Sequence, residues 1–120
     1  MSGRIDIVTE KAVAEFYQSL GIINGPGDIQ YRIIIKVLEM NEGEVVEFSD
    51  IRKYTDLIAD RGSIGSKMKT VILLSGLANK VKRGGYTITE KGMIAADYLH
   101  NSTEFYFKAK KTLEMIDRMP

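Results

Sequence analysis

A glycine pair, Gly84-Gly85, divides the strand-forming run from Leu77 to Thr89, and this run lies between stretches whose apolar residues recur every three or four positions. Adjacent glycines reach the positive-φ conformations of a tight reversal, so Leu77–Arg83 and Tyr86–Thr89 are expected to form two antiparallel strands. Pairing across that turn sets Val81 opposite Ile88 and Lys82 opposite Thr87, which gives the hairpin one apolar and one polar face. A lone hairpin is marginal in water and has to bury its apolar face on something else. In a chain of 120 residues that something is the same core the helices share. The expectation is a single domain, 1–120, mainly α with a small β-hairpin.

The helices follow from periodicity and punctuation. Val13, Phe16, Tyr17 and Leu20 fall on one side of a first helix over residues 9–20, with Thr9 as its expected N-cap and Gly21 as its stop. Asn24-Gly25-Pro26-Gly27 breaks the chain within a linker-like stretch, Gly21 to Gly27, too short to separate domains, and Asp28 caps the strongly apolar segment Ile29 to Met40, with Ile33, Ile34, Val37 and Leu38 inward. Val45-Val46 reads as a short strand. Ser49-Asp50 opens a helix carrying Ile51, Tyr54 and Ile58, and Asp60-Arg61-Gly62 leads to Ser63 and a third core helix ending near Gly76. Ile64, Met68, Val71, Ile72 and Ser75 share one side of it, while Ser66, Lys69, Thr70 and Leu73 share the other. Thr89 caps a further helix with Ile94, Ala95, Tyr98 and Leu99 inward. Asn101-Ser102 marks a break before a terminal helix over 103–119 that carries Phe105, Ala109, Leu113 and Ile116.

Apolar residues at 44% and charged residues at 28% match folded domains and not disordered chains. With no cysteine and His100 alone, disulfides, thiolate metal sites, Cys nucleophiles and His-based triads have no residues to build them. Gly62-Ser-Ile-Gly-Ser-Lys67 lacks the spacing of a phosphate loop, and Glu39, Glu42, Glu44 and Glu47 lack calcium-loop spacing. His100, near a helix end, reads as a surface or capping residue. The expectation is a protein that is not an enzyme, with no cofactor and no metal. No apolar run spans a bilayer, and the opening Met-Ser-Gly-Arg-Ile-Asp lacks a signal-peptide apolar region, so a cytoplasmic protein without membrane partners is expected.

The net charge of +1 conceals a division. Residues 61–91 hold seven bases (Arg61, Lys67, Lys69, Lys80, Lys82, Arg83 and Lys91) and one acid, Glu90, a local +6, whereas the remainder holds ten bases and fifteen acids. One basic segment in an acidic body can steer a phosphate backbone to one face.

The element order across Ile29 to Leu99 resembles a winged-helix domain, a helix-turn-helix variant with a hairpin wing, and the resemblance covers about seventy residues. Its most specific stretch is Leu74-Ser-Gly-Leu-Ala-Asn-Lys-Val-Lys-Arg-Gly-Gly-Tyr-Thr-Ile-Thr-Glu-Lys-Gly92. There a Leu-x-x-Gly-Leu-like helix end enters the wing, and a Tyr-x-Ile-Thr-x-Lys-Gly stretch closes it and caps the next helix. The chain is similar to multiple-antibiotic-resistance-type regulators, and especially to small archaeal winged-helix proteins that dimerise through a terminal helix. The fold so implied is a winged helix-turn-helix, core about 28–100, with additional N- and C-terminal helices.

The resemblance implies double-stranded DNA as partner, with Arg61, Ser63, Ser66, Lys67, Lys69, Thr70, Lys80, Lys82 and Arg83 as candidate contacts. It also implies a homodimeric transcriptional regulator, with self-association through Val13, Phe16, Leu20, Phe105, Ala109, Leu113 and Ile116. The outward side of the third helix has no Arg, Asn or Gln for bidentate base contacts, so sequence preference would rest on Lys69, Thr70 and DNA shape. Leu73 is open to two uses, a thymine-methyl contact or burial. Two alternatives stand beside the regulator: a winged-helix protein-protein interaction module, and an architectural DNA binder of low specificity. No residue pattern identifies an effector ligand.

Overall fold

The structure, a computed structural model, describes residues 5–120. It is mainly helical with a small three-stranded antiparallel sheet: α1 (Ile7–Ser19), a 3-10 turn (Gly25–Gly27), α2 (Ile29–Met40), β1 (Val46–Glu47), α3 (Phe48–Thr55), α4 (Arg61–Lys67), β2 (Ala78–Lys82), β3 (Gly85–Ile88) and α5 (Glu90–Arg118). Without a break, α4 continues as a π-helical stretch, Met68–Leu73.

Local capping explains most of these boundaries. Asp6, not Thr9, caps α1: its carboxylate accepts from the Val8 and Thr9 N–H groups, so the helix starts earlier than its apolar pattern suggests. Thr9 adds its own bonds to Asp6 and holds that carboxyl below the usual carboxylate range. The stop at Gly21 is a Schellman motif, with φ +87° at the glycine and Ile22 N–H donating to the Tyr17 carbonyl over 2.9 Å. The same motif closes the π-helical stretch at Gly76, φ +75°, where Leu77 N–H reaches the Ile72 carbonyl. Asp28 caps α2 as expected. Glu47 rather than Ser49 is the N-cap of α3, Asp60 caps α4 one turn before its apolar stripe, and Thr89 caps α5.

The stretch 24–27 is no linker. Pro26 and Gly27 are buried, and a Cβ on Gly27 would stand 1.8 Å from the Ile22 carbonyl oxygen, so only glycine lets the turn lie flat on the end of α1.

The core gathers around α2, whose Ile33, Ile34, Ile35, Val37 and Leu38 meet Ile51 of α3, Ile64 of α4, Met68 and Ile72 of the π-helical stretch, and Ala96 and Leu99 of α5. The sheet order is β1-β3-β2, so β3 is central, and its Tyr86 is buried against the same core. The hairpin register differs from the expected one. Ala78 pairs with Ile88, Asn79 with Thr87, Lys80 with Tyr86 and Lys82 with Gly85, with an irregularity between Lys80 and Lys82. Val81 is the extra residue of that bulge and is half exposed instead of facing Ile88. The turn accordingly falls on Arg83-Gly84.

Two expectations for the C-terminal region are overturned. There is no break at Asn101-Ser102, because α5 is one helix of 29 residues. Its inward side is Gly92, Ala96, Leu99 and Ser102, with Ile94 and Tyr98 exposed. Small residues let the α5 backbone approach the sheet closely: a Cβ on Gly92 would lie 2.1 Å from the Leu77 carbonyl oxygen.

A polar network locks α5 where it leaves the core. Arg32, fully buried, donates from Nε to Glu10 (2.8 Å), from Nη1 to the Pro26 carbonyl (3.2 Å) and the Ser102 hydroxyl (2.9 Å), and from Nη2 to Thr103 (2.5 Å). Lys36 reaches the second Glu10 oxygen at 2.6 Å. The Tyr17 hydroxyl donates to the Ser102 carbonyl, and burial raises its pKa against the opposing effect of the Arg32 guanidinium. Every charge in the network thus has a partner, the condition for keeping charge inside a core.

Candidate functional site

The third core helix presents two sides as expected. Ile64, Met68 and Ile72 are buried and Val71 is half-buried, while Ser66, Lys69 and Thr70 are exposed. Ser75, expected inward, is exposed at the helix end, and Leu73 is half-buried against the core. Burial of Leu73 leaves Leu74, 81% exposed, as the apolar side chain standing out from the end of this helix. The π-helical winding from Met68 to Leu73 causes that offset, since each i→i+5 turn rotates the following side chains relative to an α-helix.

The basic residues divide into engaged and free. Lys67 is held by Asp28, the α2 cap, at 2.6 Å, and Lys82 by Glu47 at 2.8 Å. Lys91 donates to the Ser75 carbonyl at 2.6 Å. Arg61, Lys69, Lys80 and Arg83 are exposed and have no ion pair among the described residues. Ser63 is spent on Asp60, donating through its backbone N–H (2.8 Å) and its hydroxyl (3.2 Å), and these bonds keep the Asp60 carboxyl below the usual range. The Thr70 hydroxyl donates to the Ser66 carbonyl within the helix, which leaves its lone pairs and methyl group outward. The hairpin tip is tied down, because Phe48 N–H donates to the Gly84 carbonyl at 2.8 Å. Arg83 is thereby presented from a fixed turn and not from a free loop.

The expected acidic run is partly consumed: Glu47 pairs with Lys82, and Glu39 accepts from or pairs with His100 Nε2 at 2.8 Å, joining α2 to α5. Among the described residues, no three His, Cys, Asp or Glu side chains are grouped to hold a metal ion, and no helix is long and apolar enough to cross a membrane.

The candidate self-association residues also divide. Val13 is fully buried within its own chain and so is a core residue, unavailable to a partner. Phe16 is half-buried in an aromatic cluster, 5.4 Å from Tyr106 and 6.2 Å from Phe105 between ring centres. Leu20, Phe105, Leu113 and Ile116 are more than half exposed, and Ala109 is half-buried. From Phe107 to Arg118 every residue except Ala109 is exposed, so the end of α5 projects from the body, consistent with principal extents of 59 × 27 × 23 Å. Comparison with protein-family models, with curated proteins and with solved structures finds no match.

Proposed function

We propose that this chain is a winged-helix protein that binds double-stranded DNA as a homodimer and acts as a transcriptional regulator. The observation that carries the reading is a group of four exposed, unpaired cations in a stretch of the chain almost free of acids. Arg61, Lys69, Lys80 and Arg83 all lie on the third core helix or the hairpin, in a segment with a single acid, Glu90. Phosphates are met by such cations, and base edges by the outward side of the helix, Ser66, Lys69 and Thr70. Dimerisation would set two such helices on half-sites roughly 34 Å apart, adding two weak readers into one useful affinity.

Low sequence preference is the second reading, favoured by a specific observation: the outward side offers no bidentate base reader, and Lys67 and Lys82 are already neutralised by carboxylates. Replacing Lys69 and Thr70 together with alanine separates the two. Both residues are exposed, so folding should persist. For a regulator, the preference for a selected genomic duplex over random duplex should fall by about 1–3 kcal/mol in competition anisotropy. For an architectural binder the wild type shows almost no preference to lose, and a protein-interaction module shows no duplex binding at all.

A further inference from the structure

The C-terminal end of the third core helix is gripped by the first turn of α5. The last carbonyls of the helix, at Val71, Ile72 and Leu73, accept from the Ser75, Leu77 and Gly76 N–H groups of the closing turn. The carbonyls just beyond the helix, at Ser75, Gly76 and Leu77, are met by residues 89–92. The Lys91 ammonium reaches the Ser75 carbonyl at 2.6 Å, the Thr89 hydroxyl reaches that of Gly76 at 2.6 Å, and Thr89 N–H reaches that of Leu77 at 3.1 Å. The same Thr89 hydroxyl accepts from Gly92 N–H at 3.0 Å, so one side chain serves the end of one helix and the start of the next. Gly92 completes the arrangement, since any Cβ there would strike the Leu77 carbonyl.

Resting on the DNA-binding reading above, we infer that Lys91 is a positioning residue for the third core helix and not one of its phosphate contacts. Its charge sits at a helix C-terminus, where the peptide dipoles favour a cation, and its ammonium is committed to a backbone oxygen. Lys91 thus joins Lys67 and Lys82 as a cation of the basic segment already engaged within the protein. Lys91 fixes the last turn from which Leu74 projects, and ties that turn to the rod that continues to the exposed face of α5.

The test compares Lys91→Met and Lys91→Arg with the wild type, in the full chain. Hydrogen exchange is read at the Gly76 and Leu77 amides, whose bonds to the Leu73 and Ile72 carbonyls close the turn. Duplex affinity is read across a salt series. For Lys91→Met, exchange at these two amides should quicken and the dissociation constant should rise, each about fivefold, the effect of one hydrogen bond. The slope of log affinity against log salt should not change, and Lys91→Arg should restore both values. A slope reduced by about 0.9 per chain would make Lys91 a phosphate contact and overturn the inference. Unchanged exchange would overturn it as well. A wild type without duplex affinity removes the DNA reading alone, and the exchange rates then decide whether Lys91 holds the turn.

Discussion

Arg32→Ala lowers unfolding free energy by about 3–5 kcal/mol, measured by urea denaturation, the cost of leaving a buried ion pair half-made. The magnitude follows from what is stranded. Glu10, 4% exposed, keeps only Lys36, and the Pro26 carbonyl and the Ser102 and Thr103 hydroxyls lose their donor. A second variant separates charge from volume. Arg32→Met combined with Glu10→Leu removes both charges and keeps apolar bulk, and it should recover much of the loss. A loss below about 1 kcal/mol for Arg32→Ala would mean that water reaches the guanidinium site and the network is not a lock.

Leu113→Asp with Ile116→Asp should convert a dimer to a monomer and weaken duplex binding by about 100-fold or more, because the second half-site contact ceases to be intramolecular. Both side chains are exposed on the projecting end of α5, more than 50% in each case, so the protomer should still fold. The physical ground is the helix. A segment as short as Phe107 to Arg118 is marginal in water without tertiary contacts, and Leu113 and Ile116 on it are more than half exposed, as is Phe105 beside the Phe16 ring. In the proposed dimer, pairing with a second copy would supply those contacts. Sedimentation equilibrium reads the result; a wild type that is monomeric at micromolar concentration, with the same duplex affinity as the variant, would remove the bivalent mechanism.

What was legible in the sequence was local. Asp28, Gly21, Gly76 and Thr89 each act within a few residues of their own position, and all four end or begin helices as their chemistry requires. The outward side of the third core helix was legible for the same reason, through Ser66, Lys69 and Thr70. The hairpin register was not, because the bulge at Val81 takes one residue out of the pairing and nothing in an alternation pattern marks it. The phase of α5 is not legible from its large apolar residues, because close packing against the Leu77 carbonyl requires Gly92 and the small Ala96 shares its buried side.

Long-range pairing was the least legible. Arg32 meets partners 22 and 70 residues away, and Lys67 meets Asp28 across 39. A signal for Arg32 existed. It lies in a helix whose neighbours Ile33, Ile34 and Ile35 are apolar in every direction, and a charge on a helix buried all round needs an internal partner. The basic segment illustrates the same limit, since seven cations by composition become four without a protein partner once Asp28, Glu47 and the Ser75 carbonyl are in place.

The most direct measurement of the central claim is a fluorescence-anisotropy titration of the full chain with a random duplex across a series of salt concentrations. Unpaired Arg61, Lys69, Lys80 and Arg83 on each protomer predict saturable binding whose log affinity falls linearly with log salt, with a slope magnitude of about 0.9 for every phosphate contacted, several in a dimer. Binding that is absent at low salt, or present but insensitive to salt, would contradict a DNA-binding role for this protein.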